Sequence, residues 1–348
     1  MNRDKTDVEK FLELSKSTPV CDVRSPSEYN SGHIPGAVNI PLFSNSERES
    51  VGKKYKKEGR IPAIKEGLSL IGSQLSEKLS EAYKLSANNR LLVYCWRGGM
   101  RSEAMAWLFS LAGIHTNTLD GGYKSYRRHI LEKLSEQRKM IILGGLTGSG
   151  KTHILNYLKT QGQQAIDLEG LANHKGSAFG ALGQSPQPTT EHFANILYNE
   201  WKKTDPAKPV WLEDESRHIG SVFIPEIYFG NMQKSPVIVL MMDIATRLPR
   251  LLKEYSTFPK NELKDSVEHI SKRLGGDNVK EAIKAIENDN FAKAIEITLT
   301  YYDKAYLFGL SRKAPKNIIY VKTDTDDIKE NAAKILEATK VIKWKDFV

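Results

Sequence analysis

Cysteine is scarce in this 348-residue chain, which has only Cys21 and Cys95. Two thiols exclude a disulfide framework and a four-cysteine zinc site, and reduced cysteines fit a cytoplasmic protein. No uninterrupted apolar run approaches the ~18 residues of a membrane span. The opening MNRDKTDVEKF is polar and lacks the apolar centre of a secretory signal, so none is expected. There is no fixed-period repeat and no low-complexity tract. These absences argue against a disordered, fibrous, secreted or membrane-spanning protein and point to a cytoplasmic one with no membrane span.

Acidic residues are outnumbered, 42 Asp+Glu against 51 Lys+Arg, for a net charge of +9. Such a balance suits an acidic partner, nucleic acid or phosphates, and also an ordinary basic surface. Hydrophobic residues make up 40%. That supports two domains, because one core seldom grows past ~250–300 residues.

Strand-like runs alternate with helical patterns, which predicts an α/β architecture. PVCDVR, AVNIP, RLLVYC and TNTLD read as strands of a first unit. Ser25 and Pro26 begin a helix that stops at Gly32. Helical pattern fills Ser46 to about Leu85, resumes near Arg101, and runs again from GGY to about Glu136. A second unit begins near Lys139, and the boundary is expected between Leu134 and Lys139, giving domains 1–137 and 138–348. Its strands are MIILGG, QAIDLEG, VWLEDE, VIVLMMD and NIIYVKT, with several helices between Ile244 and Leu310.

Gly145, Leu146, Thr147, Gly148, Ser149, Gly150, Lys151 and Thr152 match G-x-x-x-x-G-K-[ST]. Glycines let backbone N–H groups curl around a diphosphate, the following helix offers its positive end, and Lys151 adds a mobile charge. Thr152 is placed to bind magnesium. An NTPase would also need a carboxylate at a neighbouring strand end. Glu213, Asp214 and Glu215 lie in one such segment, with Arg217 beyond, and Asp167 and Glu169 in another. Each can equally be a solvated strand end or a helix cap. His174 reads better as a loop hydrogen-bonding residue than as a proton carrier.

Cys95, Trp96, Arg97, Gly98, Gly99, Met100 and Arg101 follow a buried strand and open a helix. A thiolate there faces backbone N–H groups, a helix N-terminus and two arginines, which lower a cysteine pKa and stabilise an anion. That favours a reactive Cys95 for nucleophilic attack, a persulfide or selenopersulfide intermediate, or capture of a phosphate-like group. Cys21, inside a strand with no such loop, reads as structural.

The N-terminal unit resembles a rhodanese domain in DVRSPSEYNSGHIPGAVNIP, the cysteine loop and LDGGYKSYRR. The whole chain, through CWRGGMRS, GLTGSGKT, HKGSAFG, GQSPQPTTEHFANIL and EDESRHIG, resembles the tRNA 2-selenouridine synthase family. The resemblance implies a rhodanese-like domain followed by a P-loop NTPase-like α/β domain with extra C-terminal helices. One departure is the cysteine loop, which spans seven residues from Cys95 to Arg101 rather than the usual six of sulfurtransferases. This is the C-x5-R spacing of rhodanese-like phosphatases, wide enough for a tetrahedral oxyanion. The resemblance further implies tRNA with 2-thiouridine at the wobble position as substrate and selenophosphate as selenium donor. It implies geranyl diphosphate as donor of an S-geranyl group, and a selenophosphate supply enzyme as a possible partner.

Candidate tRNA contacts are Arg48, Lys53, Lys54, Lys56, Lys57 and Arg60. Two further groups are Lys124, Arg127 and Arg128 with Tyr123 and Tyr126, and Arg247, Arg250, Lys253, Lys272 and Arg273. IPEIYFG and TYYDKAYLFGL are candidates for a prenyl groove or for core. Three rival readings remain: an ATP-dependent tRNA sulfurtransferase or RNA kinase, a rhodanese-like phosphatase with a regulatory NTPase, and an RNA-binding switch protein.

Overall fold

The computed structural model describes residues 3–347. The chain divides into two compact units, Met1–Lys133 and Leu134–Val348. In the first, the elements run β1 (Arg3–Thr6), α1 (Val8–Leu14), β2 (Val20–Asp22), α2 (Pro26–Ser31), β3 (Val38–Asn39), α3 (Asn45–Glu58), α4 (Arg60–Ile71) and α5 (Leu75–Leu85). They continue with β4 (Arg90–Tyr94), α6 (Met100–Leu111), β5 (His115–Leu119) and α7, which extends over Gly122–Ser135. The five strands form one parallel sheet in the order β1-β5-β4-β2-β3. An all-parallel sheet is covered on both faces, so its central strand is a nearly continuous apolar run; after the exposed Arg90, Leu91, Leu92, Val93 and Tyr94 of β4 are fully buried.

The second unit contains β6 (Met140–Gly145), α8 (Lys151–Thr160), β7 (Gln164–Ile166), α9 (Leu168–Ala172), α10 (Thr190–Trp201), β8 (Val210–Glu213), β9 (His218–Ile219), β10 (Val222–Phe223) and α11 (Glu226–Lys234). Then come β11 (Val237–Met242), α12 (Ile244–Tyr255), α13 (Lys260–His269), α14 (Ser271–Leu274), α15 (Gly276–Glu287), α16 (Phe291–Ser311), β12 (Ile318–Thr323) and α17 (Ile328–Ala338). Its parallel sheet has the order β12-β11-β6-β8-β7, and β9 and β10 make a separate antiparallel hairpin. β6 therefore lies between β8 and β11, where the connections diverge to either side. In open α/β sheets such a switch point opens a crevice beyond the carboxyl ends of the strands. Helices α12 to α16 form an all-helical lobe with its own apolar core, including Leu263, Val267, Ala282, Ile286 and Ile297.

β1 lies outside the expected strands. Its segment RDKT is polar, and it is a strand because it pairs in parallel with β5 at the sheet edge. No helix among the described residues is long and apolar enough to cross a membrane.

Candidate functional site

In the first unit the cysteine loop follows β4, and Gly99 caps α6. The Cys95 carbonyl accepts a hydrogen bond from the Tyr123 amide at 2.8 Å, and the Trp96 carbonyl accepts one from Lys124 at 3.0 Å. Gly121 and Gly122 thus form a turn directly behind the loop. A Cβ on Gly122, whose φ is +60°, would lie 2.3 Å from the Cys95 carbonyl oxygen and 2.4 Å from the Gly98 nitrogen. Only glycine permits both that backbone conformation and that approach. The segment LDGGY is therefore part of the loop's foundation.

The Cys95 side chain is buried, with Sγ 3.3 Å from Ser102 Oγ. Ser102 closes the loop segment CWRGGMRS; sequence alone gives it no role, and the fold sets its hydroxyl beside the thiol. Arg97 and Met100 are exposed. The Arg101 guanidinium donates to both carboxylate oxygens of Glu28, at 2.6 and 3.2 Å. Burial alone would raise the Glu28 carboxyl. Arg101, with the Ser25 amide and Arg48 behind it, outweighs that and holds it below the ordinary carboxylate value. Glu28 also completes the capping box of α2, so DVRSPSEYN fixes a loop arginine 73 residues away. Beneath lies Arg24, fully buried, paired with Asp22 at 2.6 Å and 3.9 Å above the Tyr123 ring. Cys21 is buried on β2, and burial pushes its thiol far up, as an inert structural residue requires.

In the second unit the phosphate loop joins β6 to α8 at the switch point. A Cβ on Gly150, whose φ is +78°, would collide with Arg250 Nη1 at 1.7 Å. Glycine leaves that guanidinium room against the loop. Two other side chains grip the loop backbone. Arg247, buried, donates to the Thr147 carbonyl at 2.8 Å and forms a two-pronged pair with Asp303 at 2.6 and 3.0 Å. Tyr306 Oη accepts from the Gly145 amide at 2.9 Å and donates to Asp214 at 3.1 Å. Asp214 in turn holds Lys313 at 2.6 Å. Asp303 and Tyr306 both lie on α16, so that helix supports the loop at two points.

The acidic candidates separate according to strand alternation. Asp214 points to Tyr306, while Glu213 and Glu215 point to the other side. Glu213 Oε1 accepts from Thr152 Oγ1 at 2.5 Å, and Glu169 Oε2 lies 3.3 Å from the same hydroxyl. Glu215 is hydrogen-bonded to Glu169. Burial, then the neighbouring Glu169 charge, pushes Glu213 up to about 8. Burial, then repulsion from Glu169 and Glu213, raises Glu215, and burial raises Glu169 against the pull of Lys151. Glu213 Oε2 and Ser149 Oγ are buried without hydrogen-bond partners. One belongs to β8, beside Thr152, and the other to the loop; buried polar atoms left unpaired are uncommon and fit a polar ligand near the start of α8. Asp167 instead caps α9 through the Gly170 amide at 2.7 Å. Arg217 is exposed and pairs with Glu226. His174 has its pKa lowered by burial and packs against Gly180 and Gly220, with Nδ1 unpartnered. Among the described residues no group of three or more His, Cys, Asp or Glu side chains is arranged to hold a metal ion.

An apolar cavity of about 490 Å³, its open mouth included, reaches the loop at Thr147. Leu251 and Tyr255 of α12 line it near the loop, and Leu263, Val267 and Ile286 line it within the helical lobe. One face of α16 runs along it, and Ser177 and Phe179 of HKGSAFG close another side. TYYDKAYLFGL contributes Tyr302, whereas IPEIYFG lines none of it and buries Ile224 and Tyr228 in core. The structure also removes three residues from the expected tRNA surface. Arg247 is spent on Asp303 and the loop, and Tyr123 and Tyr126 are buried. Lys53, Lys56, Lys57 and Arg60 remain exposed on α3 and α4.

Comparison with known proteins agrees with these two units. The family model for the tRNA 2-selenouridine synthase AAA domain matches residues 138–338, and that for the rhodanese-like domain matches 5–129. The chain is similar to the tRNA 2-selenouridine synthase of Sulfurovum sp., 34% identical across 86% of this chain and 91% of that one. It is similar to the synthase of Shewanella sediminis, 36% identical across 86% and 90%, and to that of Nitrosomonas europaea, 31% identical across 85% and 90%. Relatives of this identity, aligned over nearly their full length, place the chain in the tRNA 2-selenouridine synthase family.

Proposed function

We propose that this chain is a tRNA-modifying transferase that replaces the sulfur of wobble 2-thiouridine with selenium, by way of an S-geranyl intermediate. The observation that carries the reading is the apolar cavity whose lining includes Thr147 of the phosphate loop. A polyphosphate site with a hydrocarbon-lined cavity beside it matches the two halves of a prenyl diphosphate. A nucleotide would need partners for a polar base and ribose, and this cavity presents a mostly apolar surface, with hydroxyls as its only side-chain polar groups.

In the first step the thiouridine sulfur attacks C1 of the prenyl group. The C1–O bond breaks, diphosphate leaves with the electron pair, and the N3 proton is released. Lys151, the loop amides and the N-terminus of α8 stabilise the departing charge. Thr152 and Glu213 offer the hard oxygen donors that magnesium takes alongside phosphate oxygens. When bound, the ion would neutralise diphosphate charge.

S-alkylation turns a poor leaving group into a better one. Selenium from selenophosphate then adds at C2, the C2–S bond breaks, and geranyl thiol departs. Water takes the phosphoryl group, and N3 regains a proton. The cysteine loop, with Cys95 beside Ser102, is assigned to the selenium donor.

The test supplies 2-thiouridine tRNA, magnesium and selenophosphate, with and without geranyl diphosphate, and identifies nucleosides by mass spectrometry. Selenouridine that forms only with geranyl diphosphate is expected, and Lys151→Ala should lose geranyl transfer. Selenouridine formed equally without the prenyl donor would refute the two-step path. Absence of both modified nucleosides, with nucleotide turnover dependent on tRNA, would restore the ATP-cleaving reading.

A further inference from the structure

We propose that the C-terminal half of α16 and the edge strand β12 form a face that grips tRNA by its phosphates. This rests on the tRNA substrate of the reading above and locates a surface for it on the second unit. Several cations expected from the sequence to meet RNA are already neutralised in the fold. Lys53 pairs with Glu49, and Lys54 with Glu58 and Glu66. Arg48 pairs with Glu28, Arg247 with Asp303 and Arg250 with Asp326. A paired cation adds little net field, and a polyanion would first have to displace its partner.

The stretch from Lys304 to Lys322 differs. It holds five cations, Lys304, Arg312, Lys313, Lys316 and Lys322, and no carboxylate. Asp303, just before it, is spent on Arg247, and Lys313 is turned inward to Asp214. The other four cations are exposed, and among the described residues none of them has an acidic partner. Lys304, Phe308 and Arg312 are spaced four apart on α16, which sets them in one stripe. It is the outer stripe, because Tyr306 reaches in to the Gly145 amide and Leu310 is buried.

The Arg312 guanidinium stacks over the Phe308 ring, 4.4 Å from its centre. Such stacking fixes the plane of the guanidinium and leaves its in-plane N–H donors free for phosphate oxygens. Lys316 lies in the turn that follows the helix. On β12, Tyr320 and Lys322 share one face by strand alternation. Tyr320 is an electrostatic neighbour of Tyr306, so that face turns toward α16. β12 is the outermost strand of its sheet, and Tyr320 and Phe308 are 57% and 59% exposed. Four unneutralised cations therefore stand beside two open aromatic rings. Cations alone suit any polyanion, whereas rings among them suit nucleic acid, whose unpaired bases stack where the backbone is held. Each phosphate contact adds roughly 0.7–0.9 to the fall of log K with log salt, so four contacts add about 3.

The experiment measures binding of 2-thiouridine tRNA to the full chain across a salt series. One variant carries Lys304→Ala, Arg312→Ala, Lys316→Ala and Lys322→Ala. A control carries Lys16→Ala, Lys203→Ala, Lys293→Ala and Lys340→Ala, four exposed lysines each paired with a glutamate. Both lose the same charge at exposed positions, and urea melts check that both remain folded. The first variant should lower the salt slope by about 3 and weaken binding about a hundredfold or more near ~0.15 M salt. The control should change the slope by less than about one. A slope kept within about one of wild type in the first variant, or lowered equally in the control, would overturn the face while leaving the tRNA reading in place. Vesicles of phosphatidylserine and phosphatidylcholine form a second arm. Vesicle binding lost in the first variant while its tRNA slope is kept would assign the face to a membrane and overturn the proposal. A wild type that binds no tRNA would remove the reading beneath it and the proposal together.

Discussion

Glutamate 213 provides a pH test of how the phosphate loop is built. Its carboxyl is fully buried and titrates at about 8, against an ordinary value of 4.5, chiefly because burial penalises the ion. Between those two pH values the folded chain retains a proton that the unfolded chain has released. Bound protons are then more numerous in the folded state, so stability falls as pH rises. One such proton contributes a slope of about 1.4 kcal/mol per pH unit, or roughly 5 kcal/mol over the whole interval. Glu213→Gln keeps the shape and an oxygen for the Thr152 hydroxyl, and cannot ionise. Urea melts of wild type and variant, in metal-free buffer from pH 5.5 to 8.5, should therefore diverge. The wild type should lose stability steadily, while the variant should show a flatter profile and exceed the wild type above pH 7. Glu169 and Glu215 retain part of the slope, eased by removal of the neighbouring charge. Parallel profiles for the two proteins would refute the assignment of a buried, protonated Glu213.

Other expectations follow from the same contacts. Cys95→Ser should spare geranyl transfer and abolish selenation, both read by nucleoside mass spectrometry; selenouridine at the wild-type rate would remove the thiol from the chemistry. Arg247→Ala leaves Asp303 and the Thr147 carbonyl without their cation and should cost about 3–5 kcal/mol in urea denaturation. A loss below about 1 kcal/mol would show that the loop does not depend on this pair. Gly122→Ala forces a side chain against the Cys95 carbonyl in a left-handed backbone and should cost about 2–4 kcal/mol. A variant as stable as wild type would show that the turn yields freely.

Much of the fold is local enough to be read from the residues. Strand, glycine loop and helix succeed one another from Met140 to Thr160, and the capping box at Ser25 announces α2. The strand order and the division of labour among Glu213, Asp214 and Glu215 are not local. Three consecutive carboxylates look alike until the strand turns alternate ones to opposite sides. Arg247 reads as a surface cation because its partner Asp303 is 56 residues away. The cavity is harder still to see, since Thr147 meets side chains more than a hundred residues further on. Their apolar character is equally consistent with core, and only the packing leaves space between them.

Helix α16 holds the loop with one stretch and lines the hydrocarbon cavity with another. On the proposed reading its ligand is therefore held by two grips that share one covalent tether, and each raises the local concentration of the other half. Breaking the C1–O bond cuts that tether. Diphosphate and prenyl group then each retain only their own grip, and the combined affinity that retained the donor disappears at the moment of transfer. The reaction itself thus favours release of the spent diphosphate, with no separate energy source needed to clear the loop.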